Sequence, residues 1–382
     1  MEELVGLYFH LGLSNKEILQ CLAHQHHIII SLRTLMRVMK RRNLFRRKHF
    51  SDIVDLALFL VDELENSGKR LGYKLMHLKC RQEGLVVTQD TVRMLLHILD
   101  PVGVAVRRRH RLQRREYLNC GPNFLWHIDS YDKLKPYGIC INGAIDGFSR
   151  YIVWLEAHCT SSDPKVVAGY FIQEVQIRKG CPARIRSDKG TENTHVRDMQ
   201  RFMRQNHNDQ YANISFLVGS SNHNQRIEQW WGILRRMNAQ NWMDTFSMLK
   251  DVGSFSGDFL DKSLIQFCFT EIIQTELDQV VKLWNSHHVR SSRTSTSPSG
   301  RPFMMYNCPG VYGTHTFLCD VAQETVGLCS EETTPKGLPC DETVYELCTL
   351  LIEENGKQKA TSAEEAVILY QFLREEVIRG LE

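Results

Sequence analysis

Three short strings hold the residues able to do chemistry in this chain of 382 residues: WHIDSYDK with Asp129, IRSDKGTEN with Asp188, and NQRIEQWW with Glu228. Carboxylates gathered in one place repel one another, and a shared divalent cation offsets that repulsion. Two aspartates on strand-like segments and a glutamate on a helix-like one therefore predict a hard-metal site, with Asp129, Asp188 and Glu228 as both ligands and catalytic residues. Two ions of Mg²⁺ or Mn²⁺ held about 3.5 to 4 Å apart suit in-line phosphodiester chemistry. Each acid has a plainer reading: Asp129 a turn or capping acid, Asp188 a strand-end turn former before Lys189-Gly190, Glu228 a surface partner of Arg235. Asp129 is flanked by Trp126 and Ile128 in a segment that reads as a buried strand, where an unpaired acid is costly.

The elements that must position these acids follow from periodicity. LWHID, YGICINGAID and RYIVWLEAHCT read as three strands of an antiparallel meander. DPKVVAGYFIQEVQIRKG reads as a helix opened by Asp163 and Pro164 and closed by Gly180. CPARIRSDKG is a short strand, THVRDMQRFMRQN a helix, ISFLVGSS a last strand and QRIEQWWGILRRMN a helix. The fold class expected is α/β, a ribonuclease-H-like mixed sheet as catalytic core, preceded by a helix-turn-helix-like helical region. Asp146, in AIDGFSR, reads as a hairpin acid that supports its turn with Ser149, with a supporting role beside the catalytic acids as the alternative.

Ahead of the core, Ser14 with Glu17 has the pattern of a capping box, and Ser31 starts a helix with Leu32, Leu35, Met36 and Met39 on one stripe. A similar helix pair recurs within residues 53–100, with Thr88 as cap of its second helix. Arg107, Arg108, Arg109, Arg111, Arg114 and Arg115 form the strongest basic run. It predicts a linker along a phosphate backbone, a nuclear localisation signal, or both. The segments expected are 1–50 and 51–105 as helix-turn-helix-like units, 106–123 as an Arg-rich linker, 124–245 as the catalytic core, 246–310 as its helical extension and 311–382 as an acidic region.

The net charge of +3 hides a gradient: residues 1–126 hold 21 Lys and Arg against 12 Asp and Glu, while residues 320–382 hold 5 against 14. The front is the polyanion-facing part, and DNA is the partner expected there. No run of about 18 apolar residues is present, so neither membrane insertion nor secretion is expected. The 12 cysteines form no CxxC pair and read as reduced thiols of a nuclear or cytoplasmic protein. His24, His26 and His27 lack cysteine partners at zinc spacing and read as a polar helix face.

WHID, AIDGFSR, IRSDKGTEN and NQRIEQWW resemble the catalytic core of retroviral-type integrases and the related DDE transposases, over about residues 124–300. The nearest likeness is to eukaryotic integrase-core proteins derived from DNA transposons. WNSHHVRSSRTSTSPSGRP is similar to the segment that follows the core in that superfamily. The resemblance implies strand transfer by a metal-bound Asp129, Asp188 and Glu228, with Lys189, Arg226 and Arg235 as phosphate contacts and a homo-oligomer on DNA. The family's His-His-Cys-Cys zinc module and basic SH3-like domain are not evident, so other appendages must dock DNA. Two rivals follow: a domesticated, non-catalytic DNA- or chromatin-binding protein, and an interaction protein whose acidic region, with its amphipathic AEEAVILYQFLREEV, recruits a partner.

Overall fold

A computed structural model describes residues 1–107, 119–219, 224–291 and 298–381. Three helices open the chain: α1 (Glu2–His10), α2 (Asn15–His26) and α3 (Leu32–Arg41). The Ser14–Glu17 capping box forms, and the Ser31 hydroxyl accepts from Thr34 N, so both helix starts stand where side-chain chemistry puts them. The buried stripe of α3 differs from expectation. Leu35, Val38 and Met39 face α1 and α2, whereas Leu32 and Met36 stay 50% and 56% exposed. An apolar residue on either side of a stripe leaves its rotation open, and here the packing partners decide it.

A second unit holds α4 (Ile53–Glu65), α5 (Tyr73–Gln82), α6 (Gln89–Leu99) and α7 (Pro101–Arg107). Thr88 caps α6 as expected. Both units hold more than the pair read from the sequence: α1 is added in the first, α4 and α7 in the second. Of the Arg-rich run, Arg107 ends α7, while Arg108, Arg109, Arg111, Arg114 and Arg115 lie outside the described residues.

The core follows with β1 (Leu125–Tyr131), β2 (Cys140–Asp146), β3 (Ile152–His158), α8 (Pro164–Arg178), β4 (Gly180–Pro182), β5 (Arg184–Ser187), α9 (Thr194–Arg204), β6 (Phe216–Val218) and α10 (Gln225–Leu234). One sheet runs β3-β2-β1-β5-β6, antiparallel across β3, β2 and β1 and parallel across β1, β5 and β6. This is the ribonuclease-H-like mixed sheet that the element order predicts. The strand read as CPARIRSDKG divides instead, since β4 leaves the main sheet to pair with β7 (Leu318–Asp320). Helix α8 closes on Lys179 in the left-handed conformation, φ 57°, so Gly180 is free to begin β4.

Alternation along β1 gives the sheet two covered faces. Trp126 and Ile128 point into a core with Phe171 and Val175 of α8 and Val196 of α9. Tyr131 points the other way, among Ile227, Trp230 and Trp231 of α10. After α10 the chain makes a π-type turn over residues 235–239 and continues as α11 (Gln240–Asp251) and the long α12 (Phe259–Ser286).

The remaining helices are α13 (Pro302–Asn307), α14 (Gln323–Glu331), α15 (Glu342–Glu354) and α16 (Ala363–Leu381). The acidic region is part of this fold. Val326 and Cys329 of α14 join the α8 core, and Leu369, Tyr370 and Leu373 of α16 pack in the core of α12. Arg374 Nε donates to Asp261 Oδ1 at 2.7 Å, an ion pair tying α16 to α12. The amphipathic stripe expected to recruit a partner is therefore already buried within the chain. Among the described residues no helix is long and apolar enough to cross a membrane.

Candidate active site

Strands β1 and β5 run parallel in a register that pairs His127 with Arg186. Two residues further along each lie Asp129 and Asp188, level with one another on strands that pack about 4.8 Å apart. Asp129 is still within β1, whereas Asp188 stands just past the end of β5. Asp188 Oδ1 accepts from Gly190 N at 3.1 Å, so it also shapes the turn that the plainer reading assigned to it.

Glu228 lies in the first turn of α10 and is exposed. The helix is fixed to β1 by Asn224, which donates from Nδ2 to the Ile128 carbonyl (2.9 Å) and meets His127 Nδ1 through Oδ1 (2.7 Å). Because Asn224 Oδ1 is an acceptor in that orientation, His127 Nδ1 carries the proton. Burial drives the His127 imidazole down to about 3, so it stays neutral and keeps this tautomer. Arg226 is buried and its Nε donates to the Gly147 carbonyl at 3.1 Å.

Trp231 sits one turn along α10 from Glu228, and its Nε1 donates to Asp129 Oδ2 at 2.8 Å. Gly143 of β2 is the residue opposite Asp129, and a Cβ there would stand 2.9 Å from Trp231 Cη2. Absence of a side chain at Gly143 is thus what lets the indole reach the acid.

The electrostatics bind the three acids into one group. Burial pushes the Asp129 carboxyl up to about 7, the charges of Glu228 and Asp188 add to the rise, and the Trp231 N–H works against it. Burial raises Glu228 as well, with Asp188 as the second cause. Glu192, one turn past Asp188, is raised by burial and then by Asp188 and Asp132. This fourth acid escaped the sequence reading, although it stands in the same IRSDKGTEN string. So did Arg186, which alternation places on the face of β5 that carries Asp188.

The donor chemistry fits a hard divalent cation. Every candidate ligand is a carboxylate, and a cation offsets the burial and like-charge crowding that together lift Asp129 and Glu228. Among the described residues, no three His, Cys, Asp or Glu side chains are yet gathered closely enough to hold an ion. Glu228 is exposed at this sheet end, whereas Asp129 is held by Trp231. Of the basic residues, Lys189 is exposed beside Asp188, and Arg235 is exposed with Nε on Gln240 Oε1 at 2.7 Å. Arg226, expected as a phosphate contact, is buried, with its Nε on the Gly147 carbonyl. Asp146 behaves as the hairpin acid it was read to be, accepting from Ser149 N (2.8 Å) and Ser149 Oγ (2.7 Å).

Residues 117–301 match a family model described as an integrase core domain. Among solved structures the chain is similar to the simian T-cell lymphotropic virus intasome determined by cryoEM in complex with PP2A regulatory subunit B56 gamma. Identity is 12%, the alignment covers 67% of this chain and 74% of that chain, and the TM-score is 0.31. No curated protein matches the chain. Over these residues the chain is similar to the integrase core domain family.

Proposed function

We propose that the protein is a metal-dependent polynucleotidyl transferase that cleaves and joins DNA strands at Asp129, Asp188 and Glu228. The observation that carries this reading is electrostatic. Burial lifts the carboxyls of Asp129 and Glu228, and the charge of Asp188, remote in sequence from both, adds to each rise because β1, β5 and α10 converge at one sheet end. When bound, two Mg²⁺ or Mn²⁺ ions supply Lewis-acid stabilisation of the attacking and leaving oxygens. The residues of the chain then have distinct tasks. Asp129 and Asp188 are the fixed ligands and Glu228 the movable one. Trp231 aims Asp129, Asn224 holds α10 against β1, and the exposed Lys189 and Arg235 take DNA phosphates near the reacting bond. Joining two DNA ends needs two such sites, so the working form is a homo-oligomer on DNA. Arg107, Arg108, Arg109 and Arg111 bind further phosphates and direct the protein to the nucleus, where its substrate is.

The second reading is a fold retained for DNA or chromatin binding alone. It keeps the same fold and the same DNA contacts without the chemistry. Incubating the purified protein with labelled duplex DNA and Mn²⁺, beside Asp188→Asn, separates the two. Cleavage lost only in the variant supports the transferase; tight binding with no cleavage by either protein supports the second reading.

A further inference from the structure

The turn between α1 and α2 is ringed by arginines from three separate parts of the chain. Arg46 Nη2 donates to the Leu13 carbonyl at 2.6 Å and to Asn15 Oδ1 at 3.2 Å, and its Cζ lies 4.5 Å from the Phe9 ring centre. Arg81, near the end of α5, approaches the same Phe9 ring, with Cζ at 5.8 Å. Arg301 donates from Nε to both Glu17 oxygens, at 3.0 and 3.1 Å, and from Nη1 to the Ser286 carbonyl. Gly12, φ +80°, lets the turn press so closely on α5 that a Cβ there would stand 2.4 Å from Leu78 and 3.8 Å from Arg81 Nη1.

The charges in this junction do not balance. Burial and the neighbouring guanidiniums lower the pKa of both Arg46 and Arg81, and the acid whose charge reaches them is Glu17. Glu17 is already engaged by Ser14 N and Arg301. His10 is lowered too, first by burial and then by Lys282, Arg81 and Arg42. Arg81 Nη2 is buried with no hydrogen-bond partner among the described residues. A buried guanidinium N–H left unmade is costly, and so is the crowding of like charges. An oxyanion corrects both at once, and the planar guanidinium fork matches phosphate geometry.

We propose that this junction is a phosphate-binding site, with Arg46, Arg81 and Arg301 as its cationic wall and the α1–α2 turn as its floor. The ligand class is a phosphate ester or inorganic phosphate. A bound phosphate draws together the first helical unit, the second unit and the chain just after the core, so occupancy sets how firmly these three parts are clamped. The site is remote from Asp129, Asp188 and Glu228 in its residues, and it stands or falls independently of the transferase reading.

The test uses the full chain carrying Asp188→Asn, which isolates binding from catalysis. Thermal melting is followed with inorganic phosphate or pyrophosphate against chloride at constant ionic strength, in that protein and with Arg81→Gln added. The expected result is a saturable rise in the midpoint that Arg81→Gln weakens at least tenfold in apparent affinity, while the anion-free midpoint stays level or rises because a repelled charge has gone. No rise, an equal rise in both proteins, or an anion-free midpoint lowered by Arg81→Gln overturns the proposal. If duplex DNA binding also weakens in Arg81→Gln and its salt slope falls by about 0.9, the natural source is the DNA backbone. If only phosphate and pyrophosphate binding weaken, the source is a soluble phosphate compound.

Discussion

Trp231 on α10 donates from Nε1 to Asp129 Oδ2 across 2.8 Å, so the indole that covers the sheet also aims a carboxylate at its end. Trp231→Phe keeps most of the ring and removes the donor. Hydrogen bonds to charged groups contribute about 1.5 to 3 kcal/mol. Mn²⁺ affinity at pH 7 is therefore expected to fall roughly tenfold to a hundredfold by calorimetry, since a factor of ten corresponds to about 1.4 kcal/mol. An unchanged affinity removes Trp231 from the site.

Asp129→Asn, Asp188→Asn and Glu228→Gln are each expected to lower strand cleavage at least about a hundredfold, a loss of several kcal/mol of charge stabilisation. Duplex affinity measured by anisotropy without metal should hold steady or improve, because each change removes a negative charge facing phosphates. Cleavage surviving any one of the three shows that the acid in question is not a ligand.

The Asp129 carboxyl, raised to about 7, gives stability a definite pH dependence. Its folded pKa lies above its unfolded one, so the folded state holds the proton more tightly. That contribution is fully present below the unfolded pKa and is lost as pH rises towards 7 and through it. Without divalent metal, the midpoint of melting should decline over that window, and Asp129→Asn should flatten the decline. Metal competes with the same proton, so Mn²⁺ binding should tighten as pH rises to about 7 and release protons into a weak buffer.

Asp261 gives the opposite sign. Burial pushes its carboxyl up, but the Arg374 guanidinium and the Ser256 amide outweigh burial and hold it below the usual value. Its contribution is present above the unfolded pKa and lost as pH falls through the folded one. Acid titration followed by hydrogen exchange should open α16 early, and Arg374→Met should remove that early phase.

Gly143→Ala tests the sheet side of the site. The new methyl meets the rigid rim of Trp231 at 2.9 Å and Leu155 Cδ1 at 3.1 Å. Overpacking of this kind costs about 1 to 3 kcal/mol in chemical denaturation. The same displacement should lower Mn²⁺ affinity by moving the indole away from Asp129.

The strands, the core helices and their caps were legible because alternation, capping residues and turn residues are local signals. Ser14, Ser31, Thr88 and Asp163 all cap where their side chains suggest. The acids Asp129 and Asp188 could be read as neighbours because parallel strands carry their register forward. What stayed hidden depends on distant partners. Arg226 looks like any basic residue beside an acid, and only the Gly147 carbonyl of a remote hairpin shows it to be internal. Leu32 and Met36 fit an apolar stripe until α1 and α2 choose another face. Residues 311–382 read as a charged appendage because their acids dominate the composition, while their apolar positions find partners in distant elements, among them α8, α12 and β4. Glu192 and Gly143 carry no motif of their own; their roles follow from what the fold sets beside them.

The pairing of β4 with β7 has a bearing on how the protein is made. Cys181 in the middle of the core meets Cys319 across that small sheet, so a nascent chain still on the ribosome has an open strand edge at residues 180–182 until 318–320 emerge from the exit tunnel. The core therefore completes this edge only once residues 318–320 have been made. An edge left unpaired in that interval is open to pairing with another chain, the usual hazard of an exposed strand.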